Sequence, residues 1–159
     1  MLPTAAAAQR IDPSPRGSWE QDASGTTISV DYARPSVRGR TTFGDQVPFG
    51  EFWTPGANDV TKVRFSRDVT LQGHELAAGA YGLWVEPSED SDTWRAMLTA
   101  DTTLWHVPHL TEDDGFLVME VPHEVVGLHQ ETLEISLDSI RTQSALLRMH
   151  WGQDRIALE

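Results

Sequence analysis

Apolar and polar residues alternate with a period of two along most of this chain, which is the pattern of half-buried β-strands. Alternating or continuously apolar runs occur at residues 26–33, 63–71, 79–85, 94–98, 116–121, 133–137, 145–151 and 156–158. No helical period extends beyond two turns, although residues 122–128 and 139–145 are each compatible with a single turn of helix. About eight short strands at such spacings predict an all-β fold, either an antiparallel β-sandwich or a jelly-roll-like barrel.

Proline, glycine and aromatic residues divide the rest of the chain into an arm and a loop. Residues 1–25 contain three prolines and few large apolar side chains, so we expect an extended N-terminal arm followed by one β domain at residues 26–159. Residues 35–60 are rich in proline and glycine. They also contain four large aromatic side chains, Phe43, Phe49, Phe52 and Trp53. Aromatic residues in such a stretch predict a long ordered loop packed on the core.

The charge of the chain is strongly negative and unevenly distributed. Twelve basic residues stand against 24 acidic ones, which gives a net charge of −12, and Lys62 is the only lysine. Residues 68–138 hold 15 acidic residues and a single basic one, Arg95, whereas residues 31–67 carry a net charge of +2. This balance excludes a protein that coats nucleic acid or anionic lipid, and no apolar stretch reaches the roughly 18 residues of a membrane span. The acidity itself is compatible with a salt-adapted proteome or with a GC-rich genome.

The N-terminus and the absence of cysteine bear on the compartment. The small residues Ala6 and Ala8 before Gln9 suit cleavage by signal peptidase. We therefore expect residues 1–8 to be a signal-peptide remnant and the protein to be exported to the periplasm or cell envelope. The chain has no cysteine, which excludes a disulfide framework and a thiol nucleophile.

A long central motif carries a family resemblance. It runs through residues 32–40, 43–44, 47–50 and 53–61 and continues at residues 65–66, 68–73, 78–83, 136–138 and 147–151. Over most of residues 12–158 the chain resembles an uncharacterised bacterial family, domain of unknown function 2911, whose members often look exported. The resemblance implies an exported β domain and supplies no reaction. Members commonly carry arginine after the tryptophan of this motif, but here Trp53 is followed by Thr54, so one cation of the motif is missing.

The arginine-rich loop contains the best candidate for a binding site. Guanidinium groups grip carboxylate or phosphate bidentately, asparagine offers a donor and an acceptor, and tryptophan provides an apolar platform. The predicted ligand-binding residues are Tyr32, Arg34, Arg38, Arg40, Trp53 and Asn58. They favour a small anionic or carbohydrate-like ligand or a protein partner. The alternative is a structural role, in which the loop turns are supported by ion pairs with Asp31 or Asp59.

The histidines of residues 104–129 suggest a different function, a metal-assisted hydrolase or oxidase. The candidate metal ligands are His106, His109, His123 and His129. Gly127 stands where a zincin-type helix would carry its second histidine, and Pro108 breaks the register between the first two candidates, so we expect no metal site. The sequence also lacks a nucleophile elbow and a phosphate-binding loop.

These observations favour a non-enzymatic binding or structural module that uses no cofactor. Its partner is expected to be a small ligand or an envelope protein, with no binding to nucleic acid and no membrane span. The sequence leaves the ligand's identity and the oligomeric state open.

Overall fold

The computed structural model describes residues 12–159, so the expected signal-peptide remnant lies outside the described residues. The strands are β1 (Arg16–Ala23), β2 (Thr26–Ala33), β3 (Thr61–Phe65), β4 (Val69–Leu71), β5 (His74–Leu76), β6 (Gly79–Glu86), β7 (Thr93–Thr99), β8 (Leu117–Asp138) and β9 (Leu146–Leu158), and Glu112–Asp114 form one turn of 3₁₀ helix. The prediction of an all-β fold is confirmed. No helix among residues 12–159 has the length and apolarity needed to cross a bilayer.

Seven strands form one curled antiparallel sheet in the order β1-β2-β3-β6-β7-β8-β9, and β4 pairs with β5 in a separate hairpin. This curled sheet agrees with the predicted sandwich or barrel. β1 consists of residues assigned to the N-terminal arm from sequence, yet it pairs with β2 along its whole length. The turn between β1 and β2 is Ser24-Gly25, and both residues have positive φ (53° and 78°), as a type I′ hairpin turn requires.

β8 is a 22-residue strand that bends part-way along its length. Residues 122–128 are compatible with a turn of helix from sequence but form none, because pairing with β9 holds residues 123–125 in an extended conformation. Register shifts between Val125 and Gln130 and between Gln130 and Glu134 place extra residues on β8. Such bulges bend a strand and increase its twist, so the two parts of β8 follow different directions.

The second part of β8 returns to β1 and β2, where mainly side chains close the sheet. The Tyr32 hydroxyl accepts a hydrogen bond from the Ile135 N–H (3.0 Å) and donates to the Ile135 carbonyl over 3.4 Å. The indole N–H of Trp19 donates to the same carbonyl over 2.7 Å. A backbone hydrogen bond from the Leu133 N–H to the Pro35 carbonyl (2.8 Å) continues the contact. We call this set of contacts the seam.

Apolar side chains are buried on both faces of β6 and β7. Inside the curl, Phe43 packs edge-on against Trp53, Trp94 and Trp151, with ring centroids 6.0, 4.7 and 5.9 Å apart. A smaller cluster on the opposite face is formed by Phe52, Val60, Trp84 and Met97. Residues from the loop at 35–60 belong to both clusters, so the prediction of a long ordered loop packed on the core is confirmed.

Candidate functional site

Two of the predicted binding residues, Tyr32 and Arg34, belong to the seam. Tyr32 is only 3% exposed, and its hydroxyl is bonded to the backbone of Ile135. Arg34 donates through Nε to the Leu133 carbonyl (3.1 Å), and its guanidinium carbon lies 5.9 Å from the centroid of the Tyr32 ring. Both side chains therefore hold the second part of β8 against β2.

The arginines of the loop bind backbone carbonyls. Arg40 donates to the carbonyls of Val37 (3.1 Å) and Ser36 (2.9 Å), and Arg38 donates to that of Pro13 (2.8 Å). Guanidinium groups used in this way stabilise the path of the loop. The carboxylates expected to pair with the loop arginines, those of Asp31 and Asp59, pair with Arg16 of β1 instead.

Trp53 and Asn58 are also tied into the fold. Trp53 is 7% exposed and stacks on Trp151, with centroids 5.7 Å apart and ring planes 16° apart. Asn58 has a φ of 66°, a left-handed conformation that asparagine tolerates well, and its carbonyl accepts the His106 N–H (2.8 Å). None of the six predicted residues lines either of the two cavities described below. A ligand-binding role for them stays a prediction, and their contacts are those of structural residues.

The candidate metal ligands are separated from one another, and each has a different partner. His109 pairs with Glu51 through Nδ1, and Nδ1 of His106 lies 3.2 Å from the carbonyl of Asn58. A hydrogen bond from His129 over 3.0 Å, reinforced by the backbone N–H of Arg38, lowers the pKa of Glu131. Among residues 12–159, no group of three or more histidine, cysteine, aspartate or glutamate residues has a geometry that would hold a metal ion.

His123 forms a clamp between two strands and a loop. Its ring stacks on Trp94, with centroids 4.1 Å apart and planes 11° apart. Nδ1 lies 2.7 Å from the Ser91 carbonyl and Nε2 lies 2.9 Å from a carboxylate oxygen of Asp154. Both ring nitrogens thus have an oxygen atom within hydrogen-bond distance, and these contacts hold the ring between β8, β9 and the loop that contains Ser91. The cavity of about 590 Å³ beside this clamp is bordered by the carboxylates of Glu89, Asp90, Asp92, Glu124 and Asp154.

A larger cavity of about 760 Å³ opens at the end of the curled sheet. We call it the end cavity. It lies where the turn between β1 and β2, the strand β4 and the loop between β8 and β9 meet. Its apolar side chains are Ala23, Ile28, Phe65, Val69, Leu71, Leu137, Ala145, Leu147 and Leu158. Its polar side chains are Ser24, Thr26, Asp68, Thr70, Gln72, Thr142, Gln143, Ser144 and Glu159.

Hydrogen bonds fix β4 as one wall of the end cavity. The Gln72 N–H donates to the Glu159 carbonyl (2.8 Å), and the Glu159 N–H donates to the Gln72 side-chain oxygen (2.7 Å). The Gln72 amide group also donates to the Glu120 carbonyl of β8 (3.0 Å). On the same wall, Asp68 accepts the Ala78 N–H (2.8 Å). The described lining contains two carboxylates and neither lysine nor arginine, so its electrostatic character is neutral to negative.

A family model matches residues 14–159, which include all nine strands, the seam and the whole end cavity. The chain belongs to the family described as Protein of unknown function (DUF2911). Neither the curated proteins nor the solved structures gave a match to it. Membership in DUF2911 identifies no reaction, so the function has to be argued from the geometry of the chain itself.

Sequence reasoning missed the end cavity of this DUF2911 member because its lining comes from four separated parts of the chain, at residues 23–28, 65–73, 137–147 and 158–159. The alternation of apolar residues correctly assigns Ile28, Leu71 and Leu147 to the interior. It carries no information on which interior positions lie at an open end of the sheet. Only the strand order and the position of the β4–β5 hairpin bring these residues together.

Proposed function

We propose that this protein is a binding domain that holds a small amphipathic molecule in the end cavity. The observation that carries the proposal is a cavity of about 760 Å³ with an apolar floor and a polar rim, bordered by secondary structure on several sides. Ligand sites in proteins occupy roughly 300–1,000 Å³, are mostly apolar with a few polar groups, and occur in the mouths of β-barrels.

The floor of the end cavity is formed by side chains that also belong to the main core. Ile28, Phe65 and Leu158 are buried, and each lines the cavity with its outer surface. Each methylene that moves from water onto such a floor contributes about 0.8 kcal/mol, so an eight-carbon chain gains roughly 6 kcal/mol before the cost of association is subtracted. A gross gain of this size limits the dissociation constant to roughly tens of micromolar, and the cost of association raises it from there.

The rim supplies hydrogen-bonding groups that the fold leaves available. Thr26, Thr70 and Thr142 have side chains that form no hydrogen bond with any residue in the described part of the chain, and each lines the end cavity. Each arginine of the loop at Arg34, Arg38 and Arg40, in contrast, already donates at least one hydrogen bond to a backbone carbonyl. This difference favours the end cavity over that loop as the binding site.

We also propose that the protein acts outside the cytoplasm. The alanine-rich residues 1–8 and the exported character of the family resemblance support this location. Fractionation of the source cells followed by N-terminal sequencing tests it. A protein recovered with the cytoplasmic fraction would contradict the proposal.

Binding of the uncharged dye Nile red tests the ligand site. We expect a saturable rise in fluorescence with a stoichiometry of one, and a loss of affinity of about tenfold or more when Thr142→Trp or Ala145→Phe fills the cavity. Thr41→Trp is the matched control, because Thr41 is exposed in a loop outside the end cavity. Circular dichroism melting confirms that each variant is folded. Absence of saturable binding, or equal affinity in all three variants, would contradict the proposed function.

A further inference from the structure

The edge of β8 that faces away from β9 carries backbone N–H and C=O groups, and these groups continue from the seam to the end cavity. In an antiparallel strand, successive residues direct their N–H and C=O groups alternately to one side and the other. Ile135 directs both groups to the seam, where Tyr32 and Trp19 bind them, and Leu133 directs its groups to Pro35 and Arg34 on the same side. Every second residue of this part of β8 therefore faces away from β9.

Leu137 is the next residue in this alternating series. It lies opposite Leu147 on β9, two positions beyond the pair formed by Ile135 and Met149. Ile135 and Met149 form no hydrogen bonds with each other, because the Ile135 N–H and C=O point away from β9. Hydrogen-bonded and non-hydrogen-bonded pairs alternate along antiparallel strands, so Leu137 and Leu147 also form a non-hydrogen-bonded pair. The Leu137 N–H and C=O thus point to the seam side, where the seam ends and the end cavity begins.

No loop, turn or side-chain group among residues 12–159 forms a hydrogen bond with the Leu137 backbone, and the alternation along β8 directs its N–H and C=O away from β9. Backbone polar groups at a partly buried position require a partner, and a bare strand edge offers a donor and an acceptor side by side. A carboxylate accepts but does not donate, and an ammonium group donates but does not accept. An amide group does both, as a neighbouring strand would.

The charges around the cavity distinguish between charged and uncharged ligand head groups. Asp68 and Glu159 belong to the lining, and Arg67 and Arg141 lie beside it in the chain without lining it. An anionic head group placed near Leu137 would lose its hydration without gaining a cation within the cavity. The lining therefore disfavours a carboxylate.

We propose that the end cavity takes an uncharged amphiphile with an amide head group, which pairs with the N–H and C=O of Leu137 while the hydrocarbon part covers the apolar floor. This inference rests on the proposed function and names the chemical class of its ligand. The Thr142 hydroxyl lines the same cavity and offers a further hydrogen-bonding group to a bound molecule.

Competition among three ligands of equal chain length tests the inference. Octanamide, octanoate and octylamine are titrated at neutral pH against protein saturated with Nile red. We expect octanamide to displace the dye at a concentration about tenfold or more below that of the two charged ligands, because loss of one buried hydrogen bond amounts to about that factor. In ¹⁵N-labelled protein, octanamide should also shift the Leu137 amide resonance.

A pair of substitutions at Leu137 isolates the backbone donor. Leu137→Pro removes the N–H at a position that makes no ladder hydrogen bond, which a strand tolerates, and Leu137→Val is the control that keeps it. Leu137 also lines the cavity, so both substitutions change its apolar floor and each is compared through the ratio of octanamide affinity to Nile red affinity. We expect this ratio to fall about tenfold or more in the proline variant and to stay constant in the valine variant. If Leu137→Pro fails to fold, the amide shift in the unmodified protein decides.

The possible failures are distinguishable. If Nile red does not bind, the result contradicts both the proposed function and this inference. If Nile red binds but octanoate competes as well as octanamide, or the Leu137 resonance does not move, the amide inference alone is overturned.

Discussion

Replacing Tyr32 by phenylalanine tests whether side chains close the sheet at the seam. The substitution removes one hydroxyl and leaves the ring in the core, where Tyr32 is 3% exposed. The Ile135 N–H then loses its hydrogen-bond acceptor. The Ile135 carbonyl keeps its shorter bond of 2.7 Å from the indole of Trp19. The perturbation is therefore a single buried donor without a partner.

A buried donor left without an acceptor costs about 1–3 kcal/mol. We therefore expect Tyr32→Phe to lower the free energy of unfolding by about 2 kcal/mol. For a domain of this length, each kcal/mol lowers the Tm by roughly 2–4 °C, which gives a decrease of roughly 4–8 °C. The m-value in urea should stay constant, because the surface exposed on unfolding is the same.

Urea denaturation followed by tryptophan fluorescence measures this difference, and the second tyrosine of the chain provides a matched control. The Tyr81 hydroxyl donates to the Ala77 carbonyl over 2.7 Å at a position that solvent reaches. Water can replace that bond, so Tyr81→Phe should change stability by less than about 0.5 kcal/mol. Equal small losses in both variants would refute the assignment of the seam.

A double-mutant cycle with Trp19→Phe sharpens the test. Trp19 and Tyr32 both bind the Ile135 carbonyl, so each single variant leaves that carbonyl one partner. The double variant leaves it none, and we expect the combined loss to exceed the sum of the single losses by about 0.5 kcal/mol or more. Strict additivity would mean that the two side chains do not share the carbonyl.

Two further predictions concern buried polar groups. The Trp94 indole N–H donates to the Ser88 carbonyl (3.1 Å), whereas the indole N–H of Trp151 has no partner among the described residues. Trp94→Phe should therefore lower the free energy of unfolding, measured by urea denaturation, by about 1 kcal/mol more than Trp151→Phe. Equal decreases would contradict the contacts described. Burial tends to raise the pKa of Asp138, but the ion pair with Arg148 (2.6 Å) and a hydrogen bond from the adjacent serine outweigh it, so the pKa is lowered. The stabilisation is thus complete above the ordinary aspartate pKa of about 3.9 and disappears as the pH falls through the lower folded pKa. Asp138→Asn should then lose less than about 1 kcal/mol at neutral pH and match the unmodified protein in acid, and a difference independent of pH would contradict this.

The local alternation of apolar and polar residues predicted most strands of this protein, and β8 shows where such local prediction fails. Residues 122–128 contain a proline and a glycine, which punctuate a sequence, yet pairing with β9 keeps the strand continuous. The extra residues of β8 bulge towards solvent, where the side chains of Val125 and Leu128 are 70% exposed. Long-range pairing therefore overrides the local signals for a break.

The roles of the arginines were less predictable than the strands. Guanidinium groups close together in sequence predict an anion site, and nothing in their spacing indicates that Arg34 also binds the backbone carbonyl of Leu133, 99 residues further along the chain. No spacing rule anticipates a partner that becomes accessible only after a distant strand bends. The same dependence on distant strands hid the end cavity, whose residues form no motif.

The seam also has a consequence for the order of folding. The hairpins β1–β2 and β6–β7 join residues that are close in sequence, whereas Trp19 and Ile135 are separated by 116 residues. Contacts between residues so far apart form slowly, because the loss of chain entropy precedes their gain, and on the ribosome they must wait for the C-terminal strands. The end cavity has walls on both sides of the seam, so it is complete only after this late closure. Acquisition of ligand binding would therefore serve as a kinetic signal for the final step of folding.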